Sequence, residues 1–227
     1  LRIDASARTS RSLTRMLADT FASRWLSQRP QDEVIRRDVG INPPPFISEE
    51  WIAAAFAEDR SQEQEQLLSL SDELIVELTE AEVIVLAVPM YNYGMPAALK
   101  AWFDQVVRVG RTFTFDLARG DAPIEPVLSG KTLILLTSWG EFGFGSGAPN
   151  EGRDSLTPHV QTLSRYLGVE TFHHIGIEYQ EFGDERFEAS REAAFAAIEP
   201  LVEKLVKLAA PSAEEDISVD SNLRRTA

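Results

Sequence analysis

The sequence predicts an α/β fold: a doubly wound parallel sheet of five strands in the order 2-1-3-4-5, with helices on both faces. Three observations carry that prediction. Two runs, Val83-Ile84-Val85-Leu86-Ala87-Val88 and Thr132-Leu133-Ile134-Leu135-Leu136-Thr137, are apolar without alternation and bounded by turn residues, the pattern of strands covered on both faces. Between strand candidates lie stretches with apolar residues three and four apart, as in Leu67, Leu70, Leu74, Leu78 and Ala81, which put one apolar stripe on a helix. The two kinds of element alternate along the chain, and strands separated by helices pair in parallel through right-handed crossovers.

Taken in order, residues 1–4 read as the tail of a first strand and 11–26 as a helix. Residues 33–39 read as a second strand, but Glu33, Arg36, Arg37 and Asp38 place charge inside the run. A strand covered on both faces does not tolerate that charge, so this one belongs at an edge, which leads to the order 2-1-3-4-5. Two helices follow over 47–57 and 67–81, then the third strand over 83–88 and a helix over 96–109. Residues 111–130, with Thr112-Phe113-Thr114-Phe115, Gly120, Pro123 and Pro126, read as a loop before the fourth strand over 132–137. A glycine-rich stretch over 140–152 leads to a helix over 156–167, a last strand over 170–177 and a helix over 184–208. Pro200 removes a donor and clashes with the turn before it, so it should kink or split that last helix. One domain therefore spans 1–209, and 210–227, which loses apolar periodicity, reads as a mobile C-terminal tail.

Composition removes several functional classes. Lys and Arg number 22 against 36 Asp and Glu, a formal charge of −14 that opposes any sequence-independent grip on nucleic acid. With no cysteine there are no disulfides, thiolate metal sites, thiol nucleophiles or iron–sulfur clusters, and with three histidines no imidazole cage is expected, so no metal is expected. No apolar run approaches the roughly 18 to 20 residues that span a bilayer, and Leu1-Arg2-Ile3-Asp4 lacks the apolar stretch of a leader. The expectation is a soluble, cytoplasmic protein with no membrane partner.

In open parallel sheets, ligands bind beyond the carboxyl ends of the strands, where the winding direction reverses. For this order the site falls on the loops after strands one, three and four. The first, Ser6-Ala7-Arg8-Thr9-Ser10-Arg11-Ser12, sets hydroxyls and guanidiniums at a helix entrance, where free amides and the helix dipole favour an anion. A single such hydroxyl would be only a helix cap. With neither a dinucleotide glycine fingerprint nor a P-loop lysine, the phosphate of a mononucleotide fits best. The second loop sets Met90, Tyr91 and Tyr93 around Asn92, closed by Gly94 and Pro96, which suits a flat heteroaromatic ring or, alternatively, a cover for the core. In the third, Gly140, Gly143, Gly145 and Gly147 allow close approach, with Trp139, Phe142 and Phe144 as walls. A phosphate at one loop and a flat ring between the other two describe a flavin mononucleotide (FMN) site.

Specific stretches extend this reading. Pro89-Met90-Tyr91-Asn92-Tyr93 is followed by Leu99-Lys100-Ala101-Trp102-Phe103-Asp104 and Gly110-Arg111-Thr112-Phe113, with Ser10-Arg11-Ser12, Leu70-Ser71-Asp72-Glu73-Leu74, Thr157-Pro158 and Leu167-Gly168 in support. In these the chain resembles the FMN-dependent NADH-azoreductases, quinone-reducing flavoenzymes of flavodoxin-like fold, over nearly its whole length. The resemblance implies that Ser6, Ser10, Arg11 and Ser12 hold the FMN phosphate, and that Pro89, Met90, Tyr91, Asn92 and Tyr93 meet the isoalloxazine. Ser138, Trp139, Gly140 and Glu141 occupy the third contact stretch, where Trp139 and Glu141 depart from the family's Ser-Arg-Gly-Gly. Phe115, Phe142 and Tyr166 are expected at the substrate pocket, Tyr166 from a second subunit of a homodimer; an aromatic surface around Trp51 and Trp102 is expected to help form that dimer.

The implied activity is a ping-pong, two-electron reduction of quinones and azo compounds by NADH or NADPH, with hydride passing through flavin N5. No side chain is named as catalytic, because the flavin carries the hard chemistry. His173 and His174 are expected to be structural, and Lys100 with Asp104 a surface ion pair. Two other readings stay open on the sequence: an electron carrier of the flavodoxin type exchanging electrons with protein partners, and a flavin-free scaffold.

Overall fold

Each predicted sheet strand is present in the computed structural model, which describes residues 1–209; the expected tail over 210–227 lies outside the described residues. In chain order the elements are β1 (Arg2–Asp4), α1 (Leu13–Gln28), β2 (Arg36–Asp38), α2 (Glu49–Phe56), α3 (Gln62–Glu80), β3 (Val83–Pro89), α4 (Ala97–Val106), β4 (Phe113–Phe115), β5 (Ile124–Pro126), β6 (Lys131–Ser138), α5 (Thr157–Ser164), β7 (Val169–Ile177), α6 (Glu185–Ala196) and α7 (Ile198–Ala209). Five parallel strands pair in the order β2-β1-β3-β6-β7. With β6 and β7 as the fourth and fifth sheet strands, this is the predicted winding.

The unbroken apolar runs work as expected, because alternate residues serve opposite layers. Ile84, Leu86, Leu133 and Leu135 pack under α3, α4 and α5 with Leu74, Trp102 and Val160. Val85, Ala87, Ile134 and Leu136 pack on the other face against Leu17, Phe21 and Val202 of α1 and α7. The charges of β2 are used at its edge: Arg37 reaches Glu73 and Glu77 on α3, and Arg36 reaches Asp4 on β1.

Two expectations change, and the expected break near Pro200 is found. Residues 111–130 are not simply a loop, since β4 and β5 pair antiparallel with Phe113 opposite Pro126 and Phe115 opposite Ile124. The alternation Thr112-Phe113-Thr114-Phe115 was the strand signal, short enough to be masked by the glycine and prolines beyond it. The last helix splits at Ala197, about one turn before Pro200, because a proline ring collides with the carbonyl four residues upstream. Trp51 and Trp102 form no aromatic surface. Both are buried, Trp51 with its Nε1–H donating to Gln105 Oε1 at 3.1 Å and Trp102 inside the main core.

Candidate active site

The loop after β1 is shaped by contacts on its inner side. Ser6 is buried, and its Oγ accepts from the Arg8 amide at 3.2 Å. Arg11 is left-handed, with φ of 55°, an uncommon conformation for a residue with a side chain. Ser12 then caps α1, its Oγ accepting from the Arg15 amide at 3.5 Å. Behind the loop the backbone of Gly40 comes so close that a Cβ there would stand 2.1 Å from the Ser6 carbonyl oxygen. Ser6, Ser12 and the first residue of α1, Leu13, thus border one spot together with Arg8 and Arg11 at the helix entrance.

The loop after β3 is a tight reversal. Tyr91 and Gly94 exchange amide–carbonyl bonds of 3.0 and 3.1 Å, with Asn92 (φ 48°) and Tyr93 (φ 66°) left-handed between them. This mirror-image turn normally takes Asn and Gly, so a tyrosine at its second position is strained. The exchange occupies the Tyr91 and Gly94 amides and leaves those of Asn92 and Tyr93 at the tip.

Side chains lash the loops together. Tyr91 Oη accepts from the Ala7 amide of the first loop at 3.2 Å. Tyr93 Oη donates to Glu141 Oε1 of the third at 2.9 Å, and that bond to a carboxylate raises the tyrosine pKa above 10.0. Tyr93→Phe is expected to weaken flavin retention modestly, by about two- to fivefold, since only one exposed bond between loops is lost. Flavin fluorescence titration of the two proteins checks it.

The loop after β6 divides its predicted residues. Ser138 and Gly140 border the cleft with Ser6, Arg8, Arg11, Ser12, Pro89, Met90 and Tyr91. Trp139 does not: its indole is 6% exposed, set edge-on to His174 at 5.2 Å and near Phe144 at 5.5 Å. The ring fits there because residue 176 is glycine; a Cβ at Gly176 would lie 2.5 Å from it. His174 Nε2 in turn lies 2.8 Å from Thr137 Oγ1, a packing role for this histidine. Phe142 stacks on Tyr179 at 4.4 Å and meets Phe182 edge-on, with the Arg186 guanidinium over all three rings.

Ser10 lines an adjoining hollow with Thr9, Gln180 and Phe187. Phe115 and Tyr166 are not brought to the cleft within one protomer. The hairpin joins the end of α4 to the start of β6, and Tyr166 precedes β7 while packing on Phe113 at 5.6 Å. Both therefore stand at the amino ends of the strands, opposite the cleft.

Two groups of residues escaped the sequence reading. The β7–α6 connection supplies Gln180 and Glu181 to the cleft, and its amides at 179, 180 and 181 donate to the carbonyls of Glu141, Trp139 and Gly140 at 3.0 to 3.1 Å. Its sequence signal was the aromatic pair Tyr179 and Phe182 just before Gly183. The other is Arg15, one helical turn inside α1, which forms a two-pronged pair with Asp38, Nη1 to Oδ2 at 2.6 Å and Nη2 to Oδ1 at 2.7 Å. The bonds from Arg15 hold the Asp38 carboxyl below its ordinary 3.8 despite partial burial. A carboxylate whose folded pKa is depressed stabilises the fold above its unfolded pKa, and that contribution fades as pH falls through the folded value. The stability gap between wild type and Asp38→Asn should therefore be full above pH 3.8 and narrow below it, as read from urea unfolding at a series of pH values.

Comparison with known proteins places the fold and the family. Residues 1–201 match the family described as having a flavodoxin-like fold. The chain belongs to this flavodoxin-like family. Among curated relatives it is 55% identical to an FMN-dependent NADH:quinone oxidoreductase 2 of Colwellia psychrerythraea, over 91% of this chain and 98% of that one. It is 50% identical to an FMN-dependent NADH:quinone oxidoreductase 2 of Idiomarina loihiensis, over 98% of this chain and 97% of that one. Among solved structures, the flavodoxin-like chain superposes on an azoreductase of Bacillus anthracis with a TM-score of 0.79 at 19% identity, covering 89% of this chain and 97% of that one. An FMN-dependent NADH-azoreductase of the same species, in complex with FMN, gives 0.77 at 15% identity, covering 90% and 97%. These structural likenesses carry the fold; the curated relatives carry the family.

Proposed function

We propose that this chain is an FMN-dependent oxidoreductase that takes electrons from NADH or NADPH and reduces quinones and azo compounds. The observation that supports the reading is the joining of three switch-point loops into one cleft, with hydroxyls and guanidiniums at one end and, at the other, the Tyr91–Gly94 turn with the amides of Asn92 and Tyr93 at its tip. The donor set suits FMN: two hydroxyls, two guanidiniums and helix-entrance amides match a phosphate dianion. The curated relatives, named as FMN-dependent NADH:quinone oxidoreductases, point the same way.

Bound FMN would supply the two-electron redox chemistry that links the nicotinamide nucleotide to the acceptor. The protein's part is binding and orientation. Ser6, Ser10, Arg11 and Ser12 anchor the phosphate, Asn92 and Tyr93 offer amides to the ring's polar edge, and Met90 and Tyr91 give it apolar contact. Ser138 and Gly140 let it approach the third loop closely, with Glu141 steadying Tyr93 from that side. No side chain is assigned a proton transfer.

A homodimer belongs to the proposal. Phe115 is 53% exposed and Tyr166 partly exposed, both far from the protomer's own cleft, so only a second copy can bring them to an acceptor. A monomeric mass by light scattering with FMN present would overturn that part. We place the enzyme in the cytoplasm, where NADH and NADPH are regenerated; among the described residues no helix is long and apolar enough to cross a membrane.

The deciding experiment is the visible spectrum of protein incubated with FMN and desalted, before and after anaerobic NADH or NADPH. The expected result is oxidised-flavin bands that bleach with the nucleotide and return with a quinone. Bands that bleach only with a chemical reductant would favour the electron carrier, and no retained flavin would remove the reading.

A further inference from the structure

Arg15 lies behind the phosphate loop, 7% exposed. Its Nε donates to the Arg8 carbonyl at 2.9 Å and its Nη2 to the Ser6 carbonyl at 2.7 Å. The same guanidinium is forked on Asp38, and Asp4 Oδ2 lies 3.7 Å from Nη1. Its charge is thus matched by carboxylates from two strands, and what remains for the loop is directional. A trans peptide points its C=O and N–H to opposite sides. Turning the Ser6 and Arg8 carbonyls inward onto Arg15 therefore aims the amides of Ala7 and Thr9 outward, the Ala7 amide onto Tyr91 Oη at 3.2 Å, where it fixes the loop, and the Thr9 amide toward an incoming anion. Ala7 and Thr9 line the hollow beside the cleft together with Ser10 and Arg11.

We infer that Arg15, clamped by Asp38 and Asp4, is a positioning residue that presets the loop after β1 for a phosphate dianion, and so sets the preference for FMN over riboflavin. This rests on the FMN reading above. Lysine cannot replace Arg15 in the role, because only the planar fork can serve two carbonyls and a carboxylate at once. Preorganised amides bind an anion with no reorganisation at the moment of binding, whereas a loop released from its anchor must be ordered by the ligand itself.

The test is fluorescence titration of flavin-free protein with FMN and, separately, with riboflavin, alongside thermal melts of each variant. Wild type should bind FMN more tightly than riboflavin. Arg15→Lys, which keeps the charge beside Asp38, should lose about tenfold or more in FMN affinity while riboflavin affinity stays within about twofold. Asp38→Asn should move the same ratio in the same direction, and it decides the matter alone if Arg15→Lys does not fold. Arg36→Gln removes a half-exposed partner of Asp4 that does not touch the loop, and should leave the ratio unchanged. Parallel loss of both flavins, or an unchanged FMN affinity in the Arg15 and Asp38 variants, overturns the positioning role while leaving the FMN reading standing. A wild type that binds both flavins equally overturns the phosphate assignment, and the inference with it.

Discussion

Gly40→Ala is expected to strip the protein of most of its flavin affinity while leaving it folded. The residue follows β2, and its amide donates to the Asp4 carbonyl at 3.0 Å, which fixes its distance from the loop after β1. A methyl group here would lie 2.1 Å from the Ser6 oxygen, 2.6 Å from the Ser6 carbonyl carbon and 3.0 Å from that of Ala5. All three atoms are backbone, so no side chain can swing away and the loop must move. The carbonyl it would push is the one that Arg15 holds. Overpacking of this kind typically costs about 1–3 kcal/mol. Spread over a domain of this size, that lowers the melting temperature by roughly 2–4 °C per kcal/mol. FMN affinity should fall by about a hundredfold, because the Ala7 amide that ties this loop to Tyr91 moves with the carbonyl and carries the phosphate-binding residues out of place. Desalting retention and a fluorescence titration read the first effect, and a melt of flavin-free protein the second. Wild-type FMN affinity in a folded Gly40→Ala protein would mean that the loop after β1 does not hold the phosphate.

The sequence made the sheet legible because burial on two faces leaves a local mark. An uninterrupted run such as 132–137 can hardly be anything but a covered strand, and charge at Arg36, Arg37 and Asp38 marks an edge. The three cleft loops were legible for another reason, since topology names them once the strand order is known. What escaped was set by contacts distant along the chain. Nothing near Arg15 announces that it will meet Asp38, 23 positions away, or turn two carbonyls. The β7–α6 connection reaches the cleft through amide bonds to residues 139–141, and the aromatic pair Tyr179 and Phe182 marks the segment without naming those partners. Trp139 could be placed on its loop but not aimed, because its pocket depends on a glycine at 176. Trp102 is a different case, a signal present and misread: Leu99, Trp102, Phe103 and Val106 have the spacing of a buried helix face. The aromatic surface expected there ran against that spacing.

Asp4→Ala should have the largest effect on stability, for reasons that reach back to the cleft. Asp4 is fully buried, and its Oδ1 accepts from Arg2 Nη2 at 2.9 Å and Nε at 3.1 Å, while Oδ2 accepts from Arg36 Nε at 2.8 Å. A buried ion pair need not outperform an apolar replacement of the same shape, but removing one partner strands the other charges without compensation. Arg2 keeps Asp19 at 2.6 Å and Arg15 keeps Asp38, which puts the loss near the lower end of the usual range, about 3 kcal/mol. That is a large share of the roughly 5–15 kcal/mol that holds a typical domain folded, and a urea midpoint would show it clearly. A second measurement separates the fold from the loop. FMN adds RT ln(1 + [L]/Kd) to the stability of whichever protein binds it, so equal affinities would leave the gap between Asp4→Ala and wild type unchanged when FMN is added. If the carboxylates behind Arg15 also preset the phosphate loop, the variant binds FMN more weakly and the gap must widen with FMN present. A large gap that stays constant would confine Asp4 to holding the sheet edge together.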